Sequence, residues 1–156
     1  MSTDKEYIDP THSLGYAFEK HVIGLFGKDF KVIKWILDGA GHTREEIDFN
    51  PDITVEHLPT GDVIGIECKF RSTLYNGSIS WAKEYQLAKY DRYKERTGNP
   101  VFVIIGLGGT PEKPEVMYCL PLWKAKYNIL DTRELKRYRR DSRKKFSWDG
   151  KSGELR

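Results

Sequence analysis

The sequence predicts an α/β domain, a mixed β-sheet covered by helices. Three observations predict it. An apolar stripe at helical spacing opens the chain, two strand-like segments follow in hairpin order, and an apolar run over residues 101–107 returns after a second helical stretch. The 156 residues suit one domain with one core, and 38% apolar residues are enough to fill it. No internal repeat or low-complexity linker divides the chain. Residues 1–156 are therefore read as a single domain, with a core over about 13–122 and a basic extension over about 123–156.

From residue 13 to 26, Leu14, Ala17, Phe18, Val22 and Leu25 recur at three- and four-residue steps. This predicts a helix with Ser13 as N-cap and Gly27 as its stop. Glu19 lies at the edge of the stripe. Residues 30–37 are β-branched and aromatic and predict a first strand. Glycines and polar residues over 38–50 predict a loop. Residues 52–57 alternate, 58–62 form a turn, and 63–70 form the next strand, so the pair reads as a hairpin. A loop over 72–80 leads to a helix over 81–96, with Ser80 as its cap and Gly98-Asn99-Pro100 as its end. Residues 101–107 are apolar on both faces and predict a buried central strand, reached by a crossover. A turn over 108–114 and a strand over 116–120 follow. Residues 131 to about 143 predict a basic helix, and the tail beyond is expected to be loose, with Trp148 as an anchor.

The net charge of +3 is unevenly spread. Residues 121–156 carry 12 Lys and Arg against 5 Asp and Glu, whereas residues 1–120 carry 14 against 18. A basic end on an acidic body suits contact with a polyanion, and a solvated helix carries the same pattern. Lys136, Arg137, Arg139, Arg140, Arg143 and Lys144 are the candidate nucleic-acid contacts, joined by Tyr90 on the second helix. No apolar run is long enough to cross a bilayer and the N-terminus is polar, so a cytoplasmic protein is expected. Cys68 and Cys119 are too few for a disulfide framework or a Cys-based zinc site, and both sit in apolar runs as buried, reduced thiols.

Alternation decides which side chains share a strand face. On residues 63–70, Ile64, Ile66, Cys68 and Phe70 make the apolar face, and Glu67 and Lys69 take the other. Charges over the middle of a buried sheet are costly. On residues 52–57, Asp52, Thr54 and Glu56 share a face, and pairing the two strands brings Asp52 beside Glu67 and Lys69. Two adjacent carboxylates repel, and a divalent cation relieves them. An all-oxygen ligand set favours magnesium or manganese over zinc. Such an ion polarises a phosphodiester and activates water, and Lys69 would orient that water or stabilise the developing charge. Singly, each residue has an ordinary reading. Asp52 suits a turn after Pro51, Glu67 and Lys69 suit an ion pair, and Glu19 and Gln86 suit solvated helix faces.

Together they carry a resemblance. Pro51-Asp52, 14 intervening residues and Glu67-Cys68-Lys69 resemble the signature of the PD-(D/E)XK nuclease superfamily. Glu19 resembles the additional acid of the superfamily's first helix, and Gln86-Leu-Ala-Lys-Tyr90 resembles the Q-x-x-x-Y element of some members. The element order over about 13–107 is similar to the restriction-endonuclease-like αβββαβ core, here with a basic C-terminal helical extension. The size resembles small single-domain members such as Holliday-junction-resolvase-like nucleases. The resemblance implies Mg2+-dependent hydrolysis of DNA, with Mn2+ as a substitute. It implies metal ligands at Asp52, Glu67 and the Cys68 carbonyl, with Glu19 bound directly or through water. It implies Lys69 near the attacking water and Gln86 near metal or phosphate. Cutting both strands is compatible with a homodimer. Two alternatives stay open: a catalytically inactive nucleic-acid-binding module of the same fold, and an RNA-directed nuclease.

Overall fold

The computed structural model describes residues 10–36, 50–82, 84–125 and 129–156, without the side chains of residues 10–13 and 84–86. Helix α1 (Pro10–Gly24) turns Phe18 and Val22 to the core, and Leu25 follows them just past its end; all three are buried. Leu14, on the same stripe, is exposed. The helix starts before Ser13 because Pro10 suits a first helical position, where its missing N–H costs no hydrogen bond.

Six of the described strands build one sheet. Its order is β1 (Phe30–Trp35), β2 (Ile53–His57), β3 (Asp62–Arg71), β5 (Val101–Gly109), β6 (Pro114–Pro121) and β8 (Arg139–Arg140). The expected hairpin is β2–β3, antiparallel, with Ile53 opposite Ile66. The expected crossover leaves β3, passes through α2 (Glu84–Thr97) and returns as β5, parallel to β3. Both faces of β5 are covered, which is why its sequence lacks alternation. On one face Phe18, Val22, Ile53, Ile66, Ile104 and Met117 pack together. On the other, Trp81, Tyr90, Tyr93, Val103, Ile105 and Leu120 do so.

Helix α2 begins at Glu84 rather than at Trp81, and Ser80 belongs to a strand instead of a cap. That strand, β4 (Ser78–Ser80), lies inside the expected loop and pairs with β7 (Ile129–Asp131) as a separate ribbon. The helix ends as expected. Gly98 takes a left-handed φ of 72°, and its N–H donates to the Lys94 carbonyl at 2.8 Å.

The expected continuous basic helix over 131–143 does not form, and the extension holds only short helical turns there. Helix α3 (Thr132–Leu135) is a single turn capped by Asp131, a 3₁₀ turn follows over Lys136–Tyr138, and the chain then extends into β8. Two forces oppose a longer helix. Six like charges on three turns would repel, and β6 offers a free edge that Arg139 and Arg140 complete against Tyr118 and Met117. The tail is not loose either. Strands β9 (Trp148–Asp149) and β10 (Glu154–Leu155) pair, and Phe146 and Leu155 are buried in the α1-side core. Trp148 is the expected anchor, donating from Nε1 to Asp62 Oδ2 at 2.9 Å.

One contact fixes α1 on the sheet. A Cβ at Gly106 on β5 would stand 2.5 Å from the Phe18 ring, which is fully buried beside Phe70. Gly106→Val is therefore expected to cost about 2–3 kcal/mol by overpacking. Urea denaturation measures this, and a loss below about 0.5 kcal/mol would mean that α1 is not seated as described.

Candidate active site

Strand β2 stops one residue short of Asp52, and β3 runs on past it. The register that sets Ile53 against Ile66 leaves Asp52 beside Glu67. Side-chain bonds take over where the ladder ends. The Asp52 N–H donates to Glu67 Oε2 at 3.3 Å, and Asp52 Oδ2 accepts from the Cys68 N–H at 3.1 Å. The Asp52 carbonyl accepts from Ile36 N–H at 2.8 Å, which ties the turn to the β1 side. Each carboxylate thus has one oxygen committed to the backbone. On the same face Lys69 Nζ lies 3.8 Å from Glu67 Oε1, with Glu67 only 2% exposed and Lys69 21%.

Electrostatics follow from this crowding. Burial first, then the charges of Glu67 and Glu19, push Asp52 well above the ordinary carboxylate range, and Lys69 offsets part of the rise. Burial alone would make Lys69 less basic, but Glu67 and Asp52 outweigh it and hold the ammonium above its usual range. The structure thus brings Asp52, Glu67 and Lys69 to one place, with Glu19 near enough for its charge to act on Asp52. Among the described residues no three His, Cys, Asp or Glu side chains converge as a metal-binding group. The all-oxygen surroundings still fit a hard cation, because magnesium keeps several waters and needs only one or two carboxylates.

Gln86 lies on α2, but its side chain falls outside the described residues. Tyr90 requires a correction: it is 1% exposed, stacked on Trp81 at 5.9 Å, and belongs to the core rather than to a nucleic-acid surface. Its i+3 partner Tyr93 is buried with it, so the two tyrosines form a packing stripe. Both thiols are buried and free. Burial pushes Cys119 up to about 12 and Cys68 well above its ordinary value, so neither is a nucleophile at neutral pH.

The basic residues divide. Lys136, Arg137, Arg139, Arg143 and Lys144 are exposed, whereas Arg140 is half-buried over the Phe146 ring at 3.7 Å. A cleft of about 830 Å³ opens at the β8 edge between Arg139, Arg140, Arg143, Lys113 and His21, with Glu112, Glu115 and Asp141 on its walls. None of Asp52, Glu67 and Lys69 lines it. Its mixed charge and its place three strands from β3 separate it from the acid pair.

One residue of the site escaped the sequence reading. Strand β3 continues to Arg71, so Glu67, Lys69 and Arg71 form one row on one face. The alternation E-x-K-x-R carried that signal, but the expected strand ended at Phe70.

No protein-family model matches this chain, and no curated protein does. A solved structure does. The Holliday junction resolvase Hjc of the archaeal hyperthermophile Archaeoglobus fulgidus is similar over 78% of this chain and 91% of its own, with a TM-score of 0.56 and 17% identity. The likeness is one of fold: a central mixed sheet flanked by helices, in a restriction-endonuclease-like arrangement. No helix among the described residues is long and apolar enough to cross a membrane.

Proposed function

We propose that this chain is a magnesium-dependent nuclease that hydrolyses DNA phosphodiester bonds. The observation that carries the reading is the acid pair of half-buried Asp52 and buried Glu67, with Lys69 3.8 Å from Glu67, on a fold shared with a Holliday junction resolvase. Asp52, Glu67 and the Cys68 carbonyl are the proposed ligands. Within a strand the N–H and C=O of one residue point the same way, so the Cys68 carbonyl turns toward Asp52 with its N–H. Glu19 acts at longer range, through its charge on Asp52 and through water. When bound, a magnesium ion supplies Lewis-acid polarisation of the phosphate and a more acidic water.

The chain's own groups do the rest. Asp52 and Glu67 would hold the cation through one oxygen each, and their other oxygens fix the site through backbone bonds. Lys69 stays an ammonium, so it donates hydrogen bonds rather than removing a proton; it orients the attacking water and offsets charge on the phosphate oxygens. Gln86, on α2, is a candidate phosphate donor. The exposed Lys136, Arg137, Arg139, Arg143 and Lys144 give DNA a second, sequence-independent hold. Cutting two strands takes two such sites, so a pair of chains on one DNA is the assembly this reading favours.

A cleavage panel tests it: duplex, single-stranded, flapped and four-way DNA, with magnesium, with manganese and with chelator. Cutting that needs the metal and is lost in Asp52→Ala and Glu67→Ala supports the reading. Metal-independent cutting, or variants as active as wild type, overturns it. RNA of the same shapes serves as the substrate control.

A further inference from the structure

We infer that Arg71 forms a second phosphate-binding position beside the proposed reaction centre, gripping the backbone phosphate next to the one that is cut. The inference rests on the nuclease reading above and adds to it the length of strand that the site holds. Lys69 and Arg71 stand two residues apart on one face of β3, a step of about 6.6 Å along the strand. That step is comparable to the repeat of phosphates along one nucleic-acid strand.

The side chain is anchored by two carbonyls, with no neutralising carboxylate among the described residues. Its Nε–H donates to the Ser80 carbonyl at 2.9 Å, and Nη1 donates to the Phe70 carbonyl at 3.0 Å. Both partners are uncharged. They fix the plane of the guanidinium and leave Nη2, with both its N–H groups, free of a protein partner among the described residues. No carboxylate among the described residues pairs with it. The residue is half-buried, and burial makes it a weaker base. Withdrawing a guanidinium from water without a counter-ion is costly, and here Lys69 adds a like charge. Two held cations side by side are stable when an anion lies across them. A phosphate suits this place, because its oxygens accept from the fork of one guanidinium.

A purely structural Arg71 would only tie β3 to Ser80, and the experiment separates the two roles. Binding of full-length wild type, Arg71→Ala and Arg71→Lys to a short duplex is measured in chelator across a salt series. Loss of one charged phosphate contact predicts about tenfold weaker binding in Arg71→Ala and a slope of log affinity against log salt reduced by about one. Arg71→Lys, which keeps the charge but not the fork, should recover the slope. A neutral methylphosphonate, moved along one strand, should weaken wild type at one position and add nothing there in Arg71→Ala.

An unchanged slope in Arg71→Ala, or equal methylphosphonate penalties in both proteins, overturns the assignment. Wild type that cuts DNA with binding indifferent to Arg71 sinks this inference alone. Wild type that binds with the Arg71 effect but never cuts keeps it and sinks hydrolysis instead. Wild type that neither binds nor cuts sinks both.

Discussion

Lys69→Ala is expected to slow single-turnover DNA cleavage by roughly 10²–10³-fold while leaving the fold intact, because it removes a fixed donor aimed at developing charge. The direction follows from the geometry. Lys69 is 21% exposed, 3.8 Å from Glu67, and held in its ammonium form by both acids. Removing it also leaves two acids facing each other without their cation. Affinity for DNA in chelator should change far less than the cleavage rate, since one of several phosphate contacts is lost. Rapid-quench kinetics at saturating enzyme gives the chemical step, and a thermal melt checks folding. A cleavage rate within twofold of wild type would remove Lys69 from the reaction.

Asp52→Asn is expected to make the metal-free protein more stable than wild type near neutral pH. Asp52 binds its proton more tightly when folded than when unfolded, chiefly through burial and then through Glu67 and Glu19. Between its ordinary range and its raised value the folded state holds the extra proton, so stability falls as pH rises through that window. Asn keeps an acceptor for the Cys68 N–H and removes the charge. In chelator its advantage should be small near pH 4 and grow as pH rises above it, reading as a higher melting temperature. A domain of this size shifts by about 2–4 °C per kcal/mol. Magnesium should reverse the order, raising wild type and leaving Asp52→Asn unmoved. Identical melting curves in chelator at pH 8 would mean that the acid pair carries no strain.

Much of the site was legible because its logic is local. Alternation along β3 separates Glu67 and Lys69 from Ile66 and Cys68, and a hairpin with one apolar face has only one register that buries Ile53 against Ile66. Asp52 follows from that register. What failed depended on neighbours distant in the chain. The basic run over 136–144 has helical charge spacing, yet the open edge of β6 captures Arg139 and Arg140 as a strand. Tyr90 is part of a Q-x-x-x-Y spacing that suggests a contact residue, and packing against Trp81 buries it. Ser80 reads as a helix cap, and its pairing with Ile129 draws it into a strand whose carbonyl then holds Arg71.

The sequence by itself determined the class of sheet, the hairpin and the face on which two acids and an amine meet, because side-chain direction and apolar burial are set within a few residues. Only the tertiary structure decided where the basic C-terminal segment goes, which aromatics are core, and that Arg71 is anchored by two carbonyls with no counter-ion among the described residues. Those outcomes depend on free strand edges and carbonyls supplied by segments tens of residues away, and no local pattern encodes them.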